Sequence, residues 1–502
     1  MLAGNYPCRV ISRTQSIAVA WVVIAFCVVG FMGLHALGEE ESTAASAPES
    51  SSSVLVSARD EMVGRFVIFM QQFGGSTGAL VGQQIEPLSR ESAGTASNIC
   101  AAILLARVGA TSPQPAEEGG DLSRAAEQAR ALVTRLRESQ EDSTTGVLAV
   151  AEASERVIAL LLMRAAATTS ADAGAVAATE VSMDDAQTIR ASLGWYGQLL
   201  LSTWSRNDAF EARLANGALV LGGAFGIFGC VVLLAGLGGF VWLGVVGYRA
   251  LTRSLAEPLP ARTVSGAALP WTFAAWFAGT TLLSLVGALI IGAVDRLSGT
   301  PALMLQMLIM LLPLTACLLP VFAGVPWSVA RREMGLHAGA GWLREIGYGF
   351  VAYATAIPML VVGGLLAFLL ALLMPTELEQ ASHPIQKELF EGGVQERVML
   401  FVIAAVLAPV VEEIVFRGVL FMHLRELSQR WGRWIAFGMS ALASSLIFAA
   451  IHPQGVVFIP VLGALAVAFC LAREMRGSLL SCMVAHGLNN ALVVGLNVAM
   501  SA

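Results

Sequence analysis

The sequence has few charged residues, few aromatic residues and almost no lysine. Only 13% of its 502 residues are charged and 7% are aromatic. Soluble proteins carry about 25% charged residues. Lys387 is the single lysine among 30 basic residues, a bias typical of a GC-rich bacterial genome. The low charge excludes a disordered chain, a nucleic-acid-binding protein and an ordinary soluble enzyme.

Several motifs of soluble enzymes are also missing. The seven cysteines form no CxxC pair. Only Cys100 lies in the polar part of the chain, so that part cannot form an internal disulfide. The sequence contains no HExxH zinc-protease helix, no P-loop and no dinucleotide-binding loop. These absences leave the hydrophobic pattern as the main guide to the fold.

That pattern predicts an all-α, polytopic transmembrane helix bundle. Hydrophobic residues make up 56% of the chain, and the mean hydropathy is +0.70. A helix needs about 20 apolar residues to cross a bilayer. We expect about nine spans, eight of them in the C-terminal part: 17–37, 217–247, 271–294, 302–323, 346–374, 398–421, 434–451, 456–472 and 478–500.

Charge predicts the orientation of these spans. Residues 39–214 hold 23 acidic residues and 13 arginines, whereas the remainder holds 13 acidic and 17 basic residues. If the N-terminus is cytoplasmic, the arginine clusters between later spans all fall in cytoplasmic loops. We therefore expect a multi-pass protein of the bacterial inner (cytoplasmic) membrane. Residues 1–38 would be an N-terminal anchor or, as the alternative, a signal peptide.

The acidic segment 39–214 is predicted to be an exported helical domain. It begins with a Ser-rich linker, 42–53, and Leu122, Ala125 and Ala129 then recur at helical spacing. It shows no cluster of catalytic residue types, so we expect it to bind a protein partner or to select substrates. Residues 215–268 would form a connecting span and a cytoplasmic loop, and 269–502 an intramembrane domain.

Three ionisable residues lie close together inside one apolar span. Glu413 and Arg417 are four residues apart, so they share a helix face and can pair. Glu412 is turned by about 100° from Glu413. Ionisable side chains within a bilayer are costly and usually functional. The pattern predicts one carboxylate neutralised by a guanidinium and a second that is free to act as a base.

Two later spans carry polar groups that suit the same site. His452 follows Phe448 by four residues, and Asn490 follows His486 by four. Together with Glu412, these groups could hold a water, take its proton and stabilise an oxyanion. Alternatively, Glu412, His452 and His486 could bind a divalent metal such as Zn. By the predicted spans, however, His452 lies about 15 Å from the level of Glu412. Either that helix is tilted or displaced, or a span end is wrong, and span ends are the weaker prediction.

The ordered set Glu412-Glu413-x-x-x-Arg417, Phe448-x-x-x-His452 and His486-x-x-x-Asn490 resembles the signature of CPBP intramembrane proteases. This family includes type II CAAX prenyl endopeptidases and bacteriocin-immunity or abortive-infection proteins. The resemblance covers about residues 269–502 and implies a bundle of about eight helices around a polar cavity. It implies that Glu412 activates water with the help of Glu413 and Arg417. His452 and His486 would position that water, and Asn490 would contribute to the oxyanion hole.

The expected function is endopeptidase hydrolysis of membrane-associated or lipidated protein substrates, by a metallo- or glutamate-type mechanism. Its partners would be those substrates and the lipid bilayer, with no nucleic acid. One alternative is a catalytically silent CPBP-like scaffold or bacteriocin-immunity protein. Another is a proton-coupled transporter, although the sequence lacks the two-fold internal repeat that transporters often show.

Overall fold

The computed structural model describes residues 95–110, 121–138, 145–167, 180–205, 208–252, 259–260, 263–293, 299–374 and 393–501, with isolated residues between 17 and 85. The elements in these described ranges are helices, and no strand occurs among them. The predicted linker 42–53 and most of the predicted first span lie outside the described residues. The all-α prediction is confirmed.

The chain divides into two compact units, one spanning Ala47–Gly229 and the other including Cys230–Ala499. The described helices of the first unit are α1 (Thr95–Ala110), α2 (Asp121–Glu138), α3 (Thr145–Ala167) and α4 (Met183–Ser205). They share a hydrophobic core, in which the predicted stripe Leu122, Ala125 and Ala129 of α2 is buried. This unit therefore has the buried interior of a folded helical domain.

The helices that follow are α5 (Asp208–Leu251), α6 (Leu269–Ala293), α7 (Thr300–Phe322), α8 (Trp327–Glu333), α9 (Trp342–Leu373), α10 (Val394–Trp431), α11 (Arg433–Ala450), α12 (Ile459–Arg476) and α13 (Leu480–Ser501). Within the described ranges, seven helical stretches are long and apolar enough to cross a membrane. Six of them belong to α5, α6, α7, α9, α10 and α11, and the seventh, Val456–Arg476, contains α12. The described apolar part of α13, Leu480–Gly495, is shorter.

The predicted end of the span 398–421 was wrong. Its corrected end brings Glu412 and His452 to the same level, which removes the mismatch of about 15 Å expected from the sequence. The span 398–421 was expected to stop before a loop, but α10 continues as a helix to Trp431. It then turns at Gly432, with φ 87°, directly into α11. Glu412 precedes this turn by 20 residues and His452 follows it by 20. In an antiparallel helical hairpin, equal distances from the turn place two residues at the same level.

Helix α10 contains two π segments, and a proline accounts for the first. The segment Ile403–Leu407 ends just before Pro409. Proline has no backbone N–H, and its ring clashes with the carbonyl four residues earlier, here that of Ala405. The widened turn relieves this clash and leaves carbonyl groups for other partners. The second π segment, Ile414–Leu420, follows Glu413.

Buried arginines join the ends of α10, α11 and α12. Arg425 donates two hydrogen bonds to the fully buried Glu474, with N–O distances of 2.6 and 2.9 Å. Arg433 donates a third, at 3.1 Å. Arg473 is also fully buried and donates to the backbone oxygens of Glu333, Arg417 and Gly477. These bonds fix the helices that carry the candidate site.

Candidate active site

A buried three-residue cluster lies between α10 and α13. Glu413 Oε1 accepts a hydrogen bond from Arg417 Nη1 at 2.8 Å and lies 2.9 Å from His486 Nδ1. All three side chains are buried, with 0–4% of their surface exposed. The ion pair predicted from the four-residue spacing therefore forms. Because the guanidinium compensates the carboxylate, Glu413 can remain ionised without contact with water.

Aromatic rings and a backbone carbonyl enclose Arg417 further. Its guanidinium lies 4.6 Å from the ring centre of Phe448 and 5.2 Å from that of Phe469. It also donates to the carbonyl of Ala466 at 3.3 Å. Planar guanidinium groups stack on aromatic faces, and this attraction is stronger away from water. Phe448, which the sequence motif pairs with His452, thus also packs against Arg417.

Glu412 is turned by about 100° from Glu413 around α10 and faces two imidazoles. Its Oε2 is 3.9 Å from His452 Nε2 and 3.7 Å from His486 Nε2. This oxygen is buried and has no hydrogen-bond partner among the described residues. The carboxylate as a whole is 22% exposed. Two ring nitrogens and one carboxylate oxygen therefore converge on the same small space.

The partners of the two Nδ1 atoms define which nitrogen of each ring carries a proton. His452 Nδ1 lies 2.6 Å from the carbonyl oxygen of Phe448, which can only accept. His486 Nδ1 faces the Glu413 carboxylate, another acceptor. In the neutral form of each ring the proton therefore lies on Nδ1, and the unprotonated Nε2 faces Glu412. Burial lowers the pKa of His452, in the turn outside the membrane-spanning helices, and so favours its neutral form.

The side chain of Asn490 forms a hydrogen bond to the backbone of α10, and among the described residues no side-chain hydrogen bond joins it to Glu412, His452 or His486. Its Nδ2 donates to the carbonyl oxygen of Ala404 at 2.9 Å, and its Oδ1 accepts from Asn489 at 3.2 Å. Ala404 belongs to the π segment before Pro409. One of the two N–H groups on Nδ2 is used in this bond, which leaves the second for a substrate. The π segment before Pro409 thereby links the proline to the asparagine, a connection that the spacing of the motifs does not predict.

Sequence reasoning missed a glycine that brings α13 close to α10. A Cβ atom added at Gly487 would lie 2.6 Å from the carbonyl oxygen of Ala405, closer than real Cβ contacts. Only glycine permits this approach. Ser444 and Phe469 were also missed: Ser444 donates to the carbonyl of Phe416 at 3.5 Å, and Phe469 stacks on His486 at 5.1 Å. In the sequence, the only indication of a role for Ser444 and Phe469 was that they lie in helices next to the motif residues.

The residue types of the predicted metal site, one carboxylate and two imidazoles, suit zinc. Carboxylate and imidazole are common zinc ligands. Yet in the described part of the chain, no group of three or more His, Cys, Asp or Glu side chains is placed so that it could hold a metal ion.

Fold and site together define a polytopic membrane protein with a buried glutamate–histidine cluster. Residues 394–492 match the family model described as type II CAAX prenyl endopeptidase Rce1-like, and this stretch contains all six candidate residues. The chain thus carries a domain of the CPBP family in its C-terminal part. Comparisons with curated proteins and with solved structures found no match.

Proposed function

We propose that this protein is an intramembrane endopeptidase in which Glu412 activates a water molecule. The observation that carries the proposal is the convergence of two imidazole Nε2 atoms on a Glu412 Oε2 that has no hydrogen-bond partner among the described residues. A water bound there would have acceptors for both of its protons. Glu413 is already neutralised by Arg417, so Glu412 is the carboxylate available as general base.

This geometry supports the following reaction. Glu412 takes one proton from the water, and the water oxygen bonds to the carbonyl carbon of the scissile peptide. The carbonyl oxygen becomes an oxyanion. When the carbon–nitrogen bond breaks, Glu412 returns its proton to the leaving nitrogen, so the products are a carboxylic acid and an amine. Asn490, oriented by Ala404, would donate its remaining N–H to the oxyanion.

The substrate is proposed to be a membrane-associated or lipidated protein, as expected for the family that matches. Comparative membrane proteomics of cells with wild-type or Glu412→Gln protein tests this proposal. Fragments present only with the wild type would identify substrates. A complete match between the two proteomes would contradict the proposal and favour the catalytically silent scaffold.

The first unit is proposed to lie outside the cytoplasmic membrane and to select substrates. Its described helices show a folded core. Cys100 is fully buried, so a membrane-impermeant thiol reagent would not reach it. A cysteine introduced at the exposed Glu127 of α2 is the better probe, and it should react on spheroplasts. Labelling only after membrane disruption would contradict the exported location.

A further inference from the structure

Two buried polar atoms on α6 have no hydrogen-bond partner among the described residues. They are Nε1 of Trp276 and Oγ1 of Thr280. Trp276 is only 6% exposed. Three other threonines, Thr272, Thr281 and Thr355, satisfy their hydroxyl groups by donating to the carbonyl four residues earlier. Thr280 does not, and a buried donor without a partner is costly.

Contacts between α6 and α10 place these atoms at the depth of the candidate site. Just before α6, Thr263 donates to Glu426 at 2.6 Å. Further along, the ring of Trp276 packs edge-on against Phe416 at 5.9 Å. The two segments therefore run antiparallel. One helical turn beyond Trp276 reaches Thr280, and one turn back from Phe416 reaches Glu412.

Trp276 and Thr280 also share the buried face of α6. They are four residues apart, and Phe273 and Phe277 of the same face are buried against the core that contains Phe416. From Phe416, ring contacts continue to Phe448 at 5.1 Å and then to His452 at 4.3 Å. Ring contacts therefore connect Trp276, through Phe416 and Phe448, to His452 of the candidate site.

We propose that Trp276 and Thr280 are substrate-positioning residues that bind the main chain of the peptide beside the scissile bond. The indole N–H can donate to a peptide carbonyl, and the hydroxyl can donate to a carbonyl or accept from a peptide N–H. Together they match the main-chain groups that an extended peptide presents. This inference rests on the proposed endopeptidase function and adds α6 to its site.

The test measures cleavage of a fluorescence-quenched, farnesylated CAAX peptide by the full-length protein in detergent micelles. Trp276→Phe and Thr280→Val remove one polar group each and keep the shape. We expect each to lower kcat/KM by about tenfold, mainly through a higher KM. Thr280→Ser keeps a hydroxyl and should retain wild-type activity. Thr281→Val is the matched control, because that hydroxyl already bonds to Phe277.

The outcomes separate this inference from the function on which it rests. Wild-type kinetics in Trp276→Phe and Thr280→Val, beside a Glu412→Gln variant that is inactive, would overturn the substrate-positioning role alone. An unchanged KM with a lower melting temperature would also overturn it, because the two groups would then be structural. If the wild type cleaved no faster than Glu412→Gln, the proposed function would fail and this inference with it.

Discussion

Glu413 Oε1 accepts hydrogen bonds from two sides, from Arg417 at 2.8 Å and from His486 at 2.9 Å. One buried oxygen thus connects the charge balance of α10 to the orientation of an imidazole on α13. A carboxylate that holds Nδ1–H of a histidine also makes the opposite nitrogen a better acceptor. In the proposed mechanism, Glu413 would therefore act through His486 on the water that Glu412 activates.

Loss of the buried cation should destabilise the protein strongly. Arg417→Ala leaves the carboxylate of Glu413 buried without its charge partner, which we expect to cost about 3–5 kcal/mol of unfolding free energy. The double variant Glu413→Gln with Arg417→Met removes both charges and should recover much of that loss. Unfolding in mixed micelles measures both. Equal stability of Arg417→Ala and the wild type would contradict the buried pair.

The close approach of α13 to α10 should be needed for activity. Gly487→Ala forces a Cβ against the carbonyl of Ala405, so α13 must move and displace His486 and Asn490. We expect insertion into the membrane but a loss of cleavage of about tenfold or more, since misplaced catalytic groups lose rate steeply. Gly495→Ala on the same helix is the control, because an added Cβ there meets no atom within 4 Å. Equal activity of the two variants would argue against this packing.

The sequence predicted the helices and the six candidate residues because both depend on local pattern. The four-residue spacing of Glu413 and Arg417 leads directly to their ion pair. The end of α10 was predicted wrongly because polar residues such as Arg425 are typical of a loop after a membrane span. In the structure Glu474 neutralises Arg425, so the helix continues past it. The roles of Pro409 and Gly487 depend on contacts between distant helices, which no spacing within one helix reveals.

Cleavage should not depend on a bound metal. In the proposed mechanism Glu412 takes the proton from the water directly. Treatment of the purified protein with 1,10-phenanthroline should leave the cleavage rate of the farnesylated peptide unchanged. A loss of activity that zinc restores would contradict the glutamate-type mechanism and favour the metal site predicted from Glu412, His452 and His486.

The N-terminal segment should remain on the mature protein. Nε1–H of Trp21 donates to Nε2 of the buried His423 at 3.2 Å, and Ile24 is buried in the same core as α6 and α10. A helix packed in this way is unlike a segment that is removed after export. Edman sequencing of the purified protein should therefore start ahead of Trp21. A start after Ala36 would show cleavage as a signal peptide.

The most direct test of the central claim is the cleavage rate of purified Glu412→Gln protein, measured with the farnesylated peptide. Glutamine keeps the size of the side chain and removes the base, so we expect a loss of at least about 100-fold with a normal melting temperature. Glu396→Gln, on the same helix but hydrogen-bonded to Thr300, is the control and should cleave like the wild type. Wild-type turnover by Glu412→Gln would contradict the account.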